Sequence, residues 1–441
     1  MIFAVELLLE AFLGYKVFTE SDRTKLFMWF MTAMIMLFPG LKLMPGIPAV
    51  NWMFPVICLA RVIKDGNLKS NWSNFPLKYI YALILIFHFV QPVFVQWQEL
   101  GSTYFYVIQY VMITYFYLFL GFCMAPDYKK LMKYKNWVYA LLIALFVIAV
   151  ISKLITYNFI SSSLSDSNIW TSDRANTERG FRVTATQGSP NIFGFICVFF
   201  AILIMNYRDS FAKKAAFMVI ILINILLCAT RAPMFGLIAA LCIYALFIKT
   251  SKVIKTALIT LCAGIFFVNI VGVNDSISQY VSGVADIIMT GGENTGGSSV
   301  DLRNRQLAMA TAYAVENPIW GKGHGFCSAI QRENTLLHAL YYKNDLAGAE
   351  SLLFYTLIDY GFIYTGLVLI YFTVLFYNYF KNYRRNKHIV MIAVPMAVAL
   401  LVHLITSRPD NSWQIFMPIM GACLYMIKKN NRELPRELIY E

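Results

Sequence analysis

The residue types best suited to chemistry in this chain are arginines. Arg174, Arg179, Arg182, Arg231, Arg303, Arg305, Arg332 and Arg408 lie away from the lysine-rich clusters that punctuate the sequence, and only Lys42, Lys153, Lys322 and Lys343 accompany them. A guanidinium fork grips a phosphate or carboxylate through two parallel hydrogen bonds and keeps its charge when desolvated. Arg231 is the sharpest of the set: it stands in Ala229-Thr-Arg-Ala-Pro233, between two apolar runs. Ionisable groups among packed apolar segments are usually functional, although a side chain at such an edge can also reach out to lipid headgroups. Arg182, Arg303 and Arg408 are candidates for the same anion chemistry, with surface ion pairing as the plain alternative. That alternative is favoured for Arg174, Arg305 and Arg332.

Glu350 immediately precedes the apolar run that begins at Ser351. A carboxylate there can take a proton from a substrate hydroxyl, or it can settle the first turn of a helix against the dipole. Among the histidines, His324 and His338 fall with the arginines, and for each a direct role is the less favoured reading. His88 and His403 sit inside apolar runs, as helix-packing residues do, and His388 sits among lysines. The one pair of acids spaced as in metal-dependent glycosyl transfer, Glu20 and Asp22, falls among basic residues. Seven of the eight cysteines lie in apolar runs, Cys327 being the exception, and no spacing fits a metal site. The expectation is therefore no metal and no cofactor, with arginines stabilising a departing anion.

The elements that must hold these residues are membrane helices. Hydrophobic types make up 59% of the 441 residues and charged types 14%, against about 25% charged in soluble domains. The apolar residues fall in runs of roughly 17 to 25, the length that spans the hydrocarbon as a helix. Spans are predicted near 1–18, 26–44, 48–64, 77–98, 104–125, 136–157, 190–206, 215–229, 232–248, 253–273, 351–378, 389–407 and 413–427, giving an all-α integral membrane protein with about 12–13 transmembrane helices. The first run carries Glu6 and Glu10 and no basic leader, so it reads as a retained helix and not a cleaved signal. The ten-residue alternation of an outer-membrane barrel is missing.

Counting spans places 25 of the 37 basic residues in connectors on one side, from Lys16, Arg23 and Lys25 through Lys129–Lys135 to Lys428, Lys429, Arg432 and Arg436. The positive-inside rule makes that side cytoplasmic. It also accounts for the net charge of +13 without nucleic acid. The arginines above then lie outside, Arg231 at the outer end of a span and the others in segments 158–189, 274–349 and 408–412. The division is residues 1–273, transmembrane helices with a smaller outer loop at 158–189; residues 274–349, one large folded outer (periplasmic) loop; and residues 350–441, C-terminal helices and a short cytoplasmic tail. Within the large loop, Ile277–Met289 can lie on the membrane surface and Gly291–Ser299 is a flexible joint. Asp301–Glu316 is a helix stopped by Asn317-Pro318, and Gly321-Lys-Gly-His-Gly325 is a tight turn.

Four pieces, in order, resemble the O-antigen polymerase and O-antigen ligase superfamily: Arg182-Val-Thr-Ala-Thr-Gln-Gly-Ser-Pro190-Asn191; Thr230-Arg231; Arg303 followed by Glu316-Asn-Pro-Ile-Trp-Gly-Lys-Gly-His-Gly325; and Glu350 through Gly361. The last departs from the commonest pattern, which has His-Asn where this chain has Glu350-Ser351. The departure favours a polymerase (Wzy-type) over a ligase. The resemblance implies a metal-independent, GT-C-like membrane glycosyltransferase in the bacterial inner (plasma) membrane, its site facing the periplasm or cell exterior. Its substrate would be an oligosaccharide on undecaprenyl pyrophosphate within the membrane lipid, with a chain-length regulator and a flippase as partners. Arg182, Arg231 and Arg303 would hold the pyrophosphate, Arg408 and His338 would contact substrate, and Glu350 would orient or deprotonate the acceptor. Two alternatives stay open: a ligase that delivers the glycan to lipid A core or protein, and a lipid-linked oligosaccharide transporter.

Overall fold

The computed structural model describes residues 2–39, 42–44, 47–98, 100–164, 176–177, 180–247, 299–331, 336–341, 351–406 and 412–433. The apolar runs are helices, as they must be where no water can satisfy the backbone. In chain order they are α1 (Ile2–Thr19), α2 (Arg23–Met36), α3 (Ala49–Lys64), α4 (Leu68–Asn74), α5 (Lys78–Phe94), α6 (Leu100–Ile113), α7 (Phe116–Cys123), α8 (Tyr128–Lys133), α9 (Lys135–Leu154), α10 (Phe159–Leu164), α11 (Pro190–Asn206), α12 (Phe211–Leu227), α13 (Arg231–Phe247), α14 (Ser299–Glu316), α15 (Phe326–Ile330), α16 (Leu336–Tyr341), α17 (Leu352–Phe380), α18 (Lys387–Thr406) and α19 (Trp413–Glu433). Two short antiparallel ladders, β1 (Lys42–Met44) with β2 (Ile47–Pro48) and β3 (Asn176–Thr177) with β4 (Gly180–Phe181), tie connectors. The protein is an all-α membrane protein.

Among the described residues, α9, α17 and α18 are each long and apolar enough to cross a membrane alone, and the bent pairs α4–α5 and α6–α7 raise the number to five. Two further foreseen spans, α11 and α13, are shorter apolar helices. The run foreseen as 104–125 is broken into α6 and α7 with a 42° bend. At the break the Thr114 hydroxyl donates to the Tyr110 carbonyl, 2.6 Å away, a back-bond that bends helices. The run foreseen as 26–44 is helical only to Met36. The foreseen span 253–273, the surface segment Ile277–Met289 and the joint Gly291–Ser299 lie outside the described residues.

The connectors grouped by their lysines meet at one end of the bundle. Lys130 pairs with Asp22 at 3.4 Å, and Lys135 with Asp209 at 2.5 Å. Arg61 donates to the Phe18 carbonyl at 2.9 Å, and Arg432 and Lys428 of the C-terminal helix both donate to Asn74. The opposite end gathers a different set. Glu6 accepts the Phe38 amide, and the Ile35 carbonyl accepts Thr186 and Gln187 at 2.8 and 2.7 Å. The segment 183–187, expected as polar loop, is buried; the Thr186 hydroxyl and the Gln187 side-chain amide cap the end of α2.

Among the described residues, α7 and α19 cross with their backbones in close approach. A Cβ on Gly421 would stand 2.0 Å from the Leu118 carbonyl oxygen, and one on Gly121 2.0 Å from that of Pro418. Small residues that let backbones touch are the usual basis of helix association in lipid. Gly421→Leu is expected to force these helices apart and cost about 1–3 kcal/mol or more, seen as a lower melting midpoint in detergent and a smaller monodisperse peak in size-exclusion chromatography.

Candidate functional site

At the end opposite the lysines, two groups of candidate residues are built by different devices. The first is a corner between α10, α12 and α13. α12 ends at Leu227, and Ala229 takes a left-handed backbone (φ 49°) that breaks the chain before Arg231 opens α13. The Val183 amide donates to the Leu227 carbonyl at 3.1 Å, which draws the β4 exit, and Arg182 with it, against that break. Asn158 clamps the same strand from the other side: its side-chain amide donates to the Arg182 carbonyl and its oxygen accepts the Thr184 amide, both at 3.0 Å. Lys153 donates to the Phe181 carbonyl, also at 3.0 Å. Arg182 and Arg231 are both half-buried. They are 49 positions apart in the sequence, and one backbone hydrogen bond brings their segments together.

The second group is the turn 317–325 docked on α17. α14 ends at Glu316 as the Asn-Pro pair foretold, and Asn317 accepts the Gly321 amide at 2.9 Å. α17 is kinked at Gly361, where φ is 74° and ψ −170°. A kink frees backbone groups that lipid cannot satisfy, and here the turn takes them. The Ile358 carbonyl accepts Lys322 N–H at 2.8 Å and the Asp359 carbonyl accepts Gly323 N–H at 3.0 Å. In return the Phe362 amide donates to the Pro318 carbonyl at 2.9 Å. A Cβ at Gly361 would lie 2.7 Å from the Pro318 oxygen, and one at Gly321 2.5 Å from the Tyr360 nitrogen, so both positions need glycine for contact as well as for φ.

The Asp359 carboxylate completes the joint. It is 4% exposed and accepts Gly325 N–H at 3.0 Å and Cys327 N–H at 2.7 Å, at the start of α15. Gln91 of α5 adds hydrogen bonds to the Trp320 and Asp359 carbonyls, each 2.6 Å. His324 sits in the turn with its Nδ1 hydrogen-bonded to the Tyr360 hydroxyl, and its carbonyl accepts the Trp97 indole N–H at 2.9 Å. Burial pushes the His324 imidazole down from its ordinary value of 6.5 to about 4, so it is neutral at physiological pH.

The other expected residues fall around this second group. Arg303 is half-buried on α14 and donates to Gln306 at 3.2 Å, and His338 on α16 meets the Ile330 carbonyl at 2.9 Å. Arg305 is exposed on α14. Glu350, Arg408, Arg174, Arg179 and Arg332 lie outside the described residues, although Ser351, next to Glu350, caps α17 and is buried. His88 is buried and bonded to Tyr364 at 2.8 Å, as a packing histidine would be. Asp359 was missed by sequence reasoning. The available signal was an acid within an apolar run, which membrane energetics make costly unless it is hydrogen-bonded. Tyr360 and Gln91 gave no signal, since their roles depend on partners 36 and 229 positions away.

Against known families, a profile described as O-antigen ligase matches residues 216–370. The matched stretch contains Arg231, Arg303, the glycine turn, Asp359 and Gly361. No curated protein matches the chain significantly.

Asp359→Ala is expected to leave two buried amides unsatisfied, at about 1–3 kcal/mol each. The readout is faster cleavage of the turn 317–325 in limited proteolysis, together with a lower melting midpoint. For His324 the folded state resists protonation between pH 6.5 and about 4, while the unfolded chain accepts it. Stability should therefore fall as pH drops through that window, and His324→Gln should flatten this part of the melting-midpoint profile.

Proposed function

Taking as premises the match of residues 216–370 to an O-antigen ligase profile and the order of motifs that resembles the wider polymerase and ligase superfamily, we propose that this chain polymerises lipid-linked polysaccharide repeat units. Family members are glycosyltransferase-like enzymes of membrane polysaccharide assembly. In this reading the growing glycan leaves undecaprenyl pyrophosphate for the terminal sugar of another lipid-linked unit, in O-antigen or a related capsule or exopolysaccharide. The acceptor hydroxyl attacks the anomeric carbon, a glycosidic bond forms, and the bond from that carbon to the pyrophosphate breaks. The displaced pyrophosphate keeps the bonding electrons, and the hydroxyl proton passes to Glu350.

The observation that carries the reading is the corner that brings the Arg182 and Arg231 segments together through the Val183–Leu227 hydrogen bond. It lies at the end of the bundle away from the lysine connectors, which the positive-inside rule makes the outer face. Guanidinium groups gathered at such a corner suit a lipid pyrophosphate headgroup and would stabilise the charge it gains on departure. Arg303, with Arg408 and His338, extends the substrate-binding set, and no metal is invoked. The site faces the periplasm or cell exterior, and a flippase and a chain-length regulator supply and limit the reaction. The ligase is the second reading, and the Glu350-Ser351 pair, standing where ligases carry His-Asn, weighs against it.

The test is a reconstituted reaction in detergent with EDTA, using the host's undecaprenyl-pyrophosphate repeat unit and gel separation of products. A ladder from the wild type that falls by at least about a hundredfold in Arg231→Ala, a loss expected when a transition-state donor is removed, would support the reading. Glu350→Gln should lower turnover in the same direction. Product formed only when lipid A core is added would identify a ligase. Substrate flux without covalent product would identify a transporter.

A further inference from the structure

His324 is held more firmly than a surface turn residue requires. The backbone on either side is pinned by Asp359, through Gly323 N–H to its carbonyl and Gly325 N–H to its carboxylate. Its own carbonyl is tied to Trp97, and its ring nitrogen Nδ1 to Tyr360. Three of these contacts hold the backbone and the fourth orients the imidazole, whose hydrogen bond to Tyr360 is made at Nδ1 and not Nε2. Around it stand aromatic rings. Tyr110 lies 5.5 Å from the imidazole centroid, and Trp97 lies along the turn, its Cδ1 2.9 Å from where a Gly323 Cβ would be. His324, Tyr110 and Trp97 are each partly exposed. The charged side chains nearby are already engaged: both Asp359 oxygens accept backbone amides, and Lys322 is paired with Glu316.

A pre-oriented neutral hydrogen-bonding atom beside aromatic faces is poorly matched to an anion, which the arginine corner would hold, and a lipid tail would need no such atom. It matches a neutral sugar, whose hydroxyl can bond the imidazole while a C–H face lies on a ring. We propose that His324, oriented by Tyr360 and flanked by Tyr110 and Trp97, forms a subsite for a neutral sugar ring of the glycan, separate from the arginines that hold the pyrophosphate. The proposal rests on the polymerase or ligase reading only for the origin of that sugar.

Binding, measured with purified protein in nanodiscs, tests it through three probes: the lipid-linked repeat unit, undecaprenyl pyrophosphate without sugar, and the free repeat oligosaccharide. The wild type should bind the repeat unit more tightly than the bare lipid pyrophosphate. His324→Ala should weaken binding of the repeat unit and of the free oligosaccharide by up to about tenfold, the worth of one hydrogen bond, and leave the bare lipid pyrophosphate unchanged. Tyr360→Phe should do the same to a smaller degree. Arg231→Ala should show the reverse pattern. Equal losses on sugar-bearing and sugar-free probes, or no loss on the free oligosaccharide, would overturn the subsite. His324→Gln, which keeps a hydrogen-bonding group, should recover part of the affinity and guards against a variant that fails to fold. If the wild type ignores undecaprenyl pyrophosphate, the proposed function fails, and the free-oligosaccharide arm still decides the subsite.

Discussion

The joint between the glycine turn and the kink of α17 is the constraint on which the outer half of this protein depends. A helix in lipid cannot break without a partner for the groups it frees. Here the break at Gly361 releases the Ile358 and Asp359 carbonyls and the Phe362 amide, and the turn 318–323 returns one group for each. Neither piece is satisfied alone. The exchange succeeds only because two glycines, Gly321 and Gly361, let backbone lie against backbone. Asp359 then spends its carboxylate on the amides that open α15, so a charge that would be costly in an apolar run becomes the anchor of a folded loop.

This joint also explains how the described residues 299–330 are held. Their apolar members Ala310, Tyr313, Phe326 and Ile330 pack with Phe354, Leu357 and Ile358 in a cluster distinct from the main core of the bundle. α14, with Arg303 on it, is therefore attached to the outer segment of α17 and not to the body of the bundle. The arginine corner is anchored differently, by Asn158 and Leu227 and by the end of α2. The two groups are thus supported independently of one another.

Much of the architecture was legible beforehand. The helix positions follow from runs of apolar residues, and the sidedness follows from where lysines collect. The contacts among Lys130, Asp22, Lys135, Asp209, Lys428, Arg432 and Asn74 bring those connectors to one end of the bundle, as the count of spans required. The stop of α14 at Asn317-Pro318 and the tight turn after it were equally readable, because proline and glycine act locally. The break between α6 and α7 was not. The Thr114 hydroxyl turns back on its own helix there, but Thr32 and Thr373 make the same bond inside continuous helix, so local sequence does not mark the break.

Sequence by itself determined that this is a helical membrane protein, which end of it is basic, and that arginines with a glycine-rich turn occur in the order of a known superfamily. These properties are carried by composition and by neighbours a few residues apart. Only the tertiary structure decided that Arg182 meets the α12–α13 break, that Asp359 is a structural anchor, and that His324 is aimed by Tyr360. Each of these depends on hydrogen bonds between segments far apart in the chain. In an apolar setting such bonds are enforced by the cost of leaving any polar group unpaired, a cost that depends on which segments come to lie side by side.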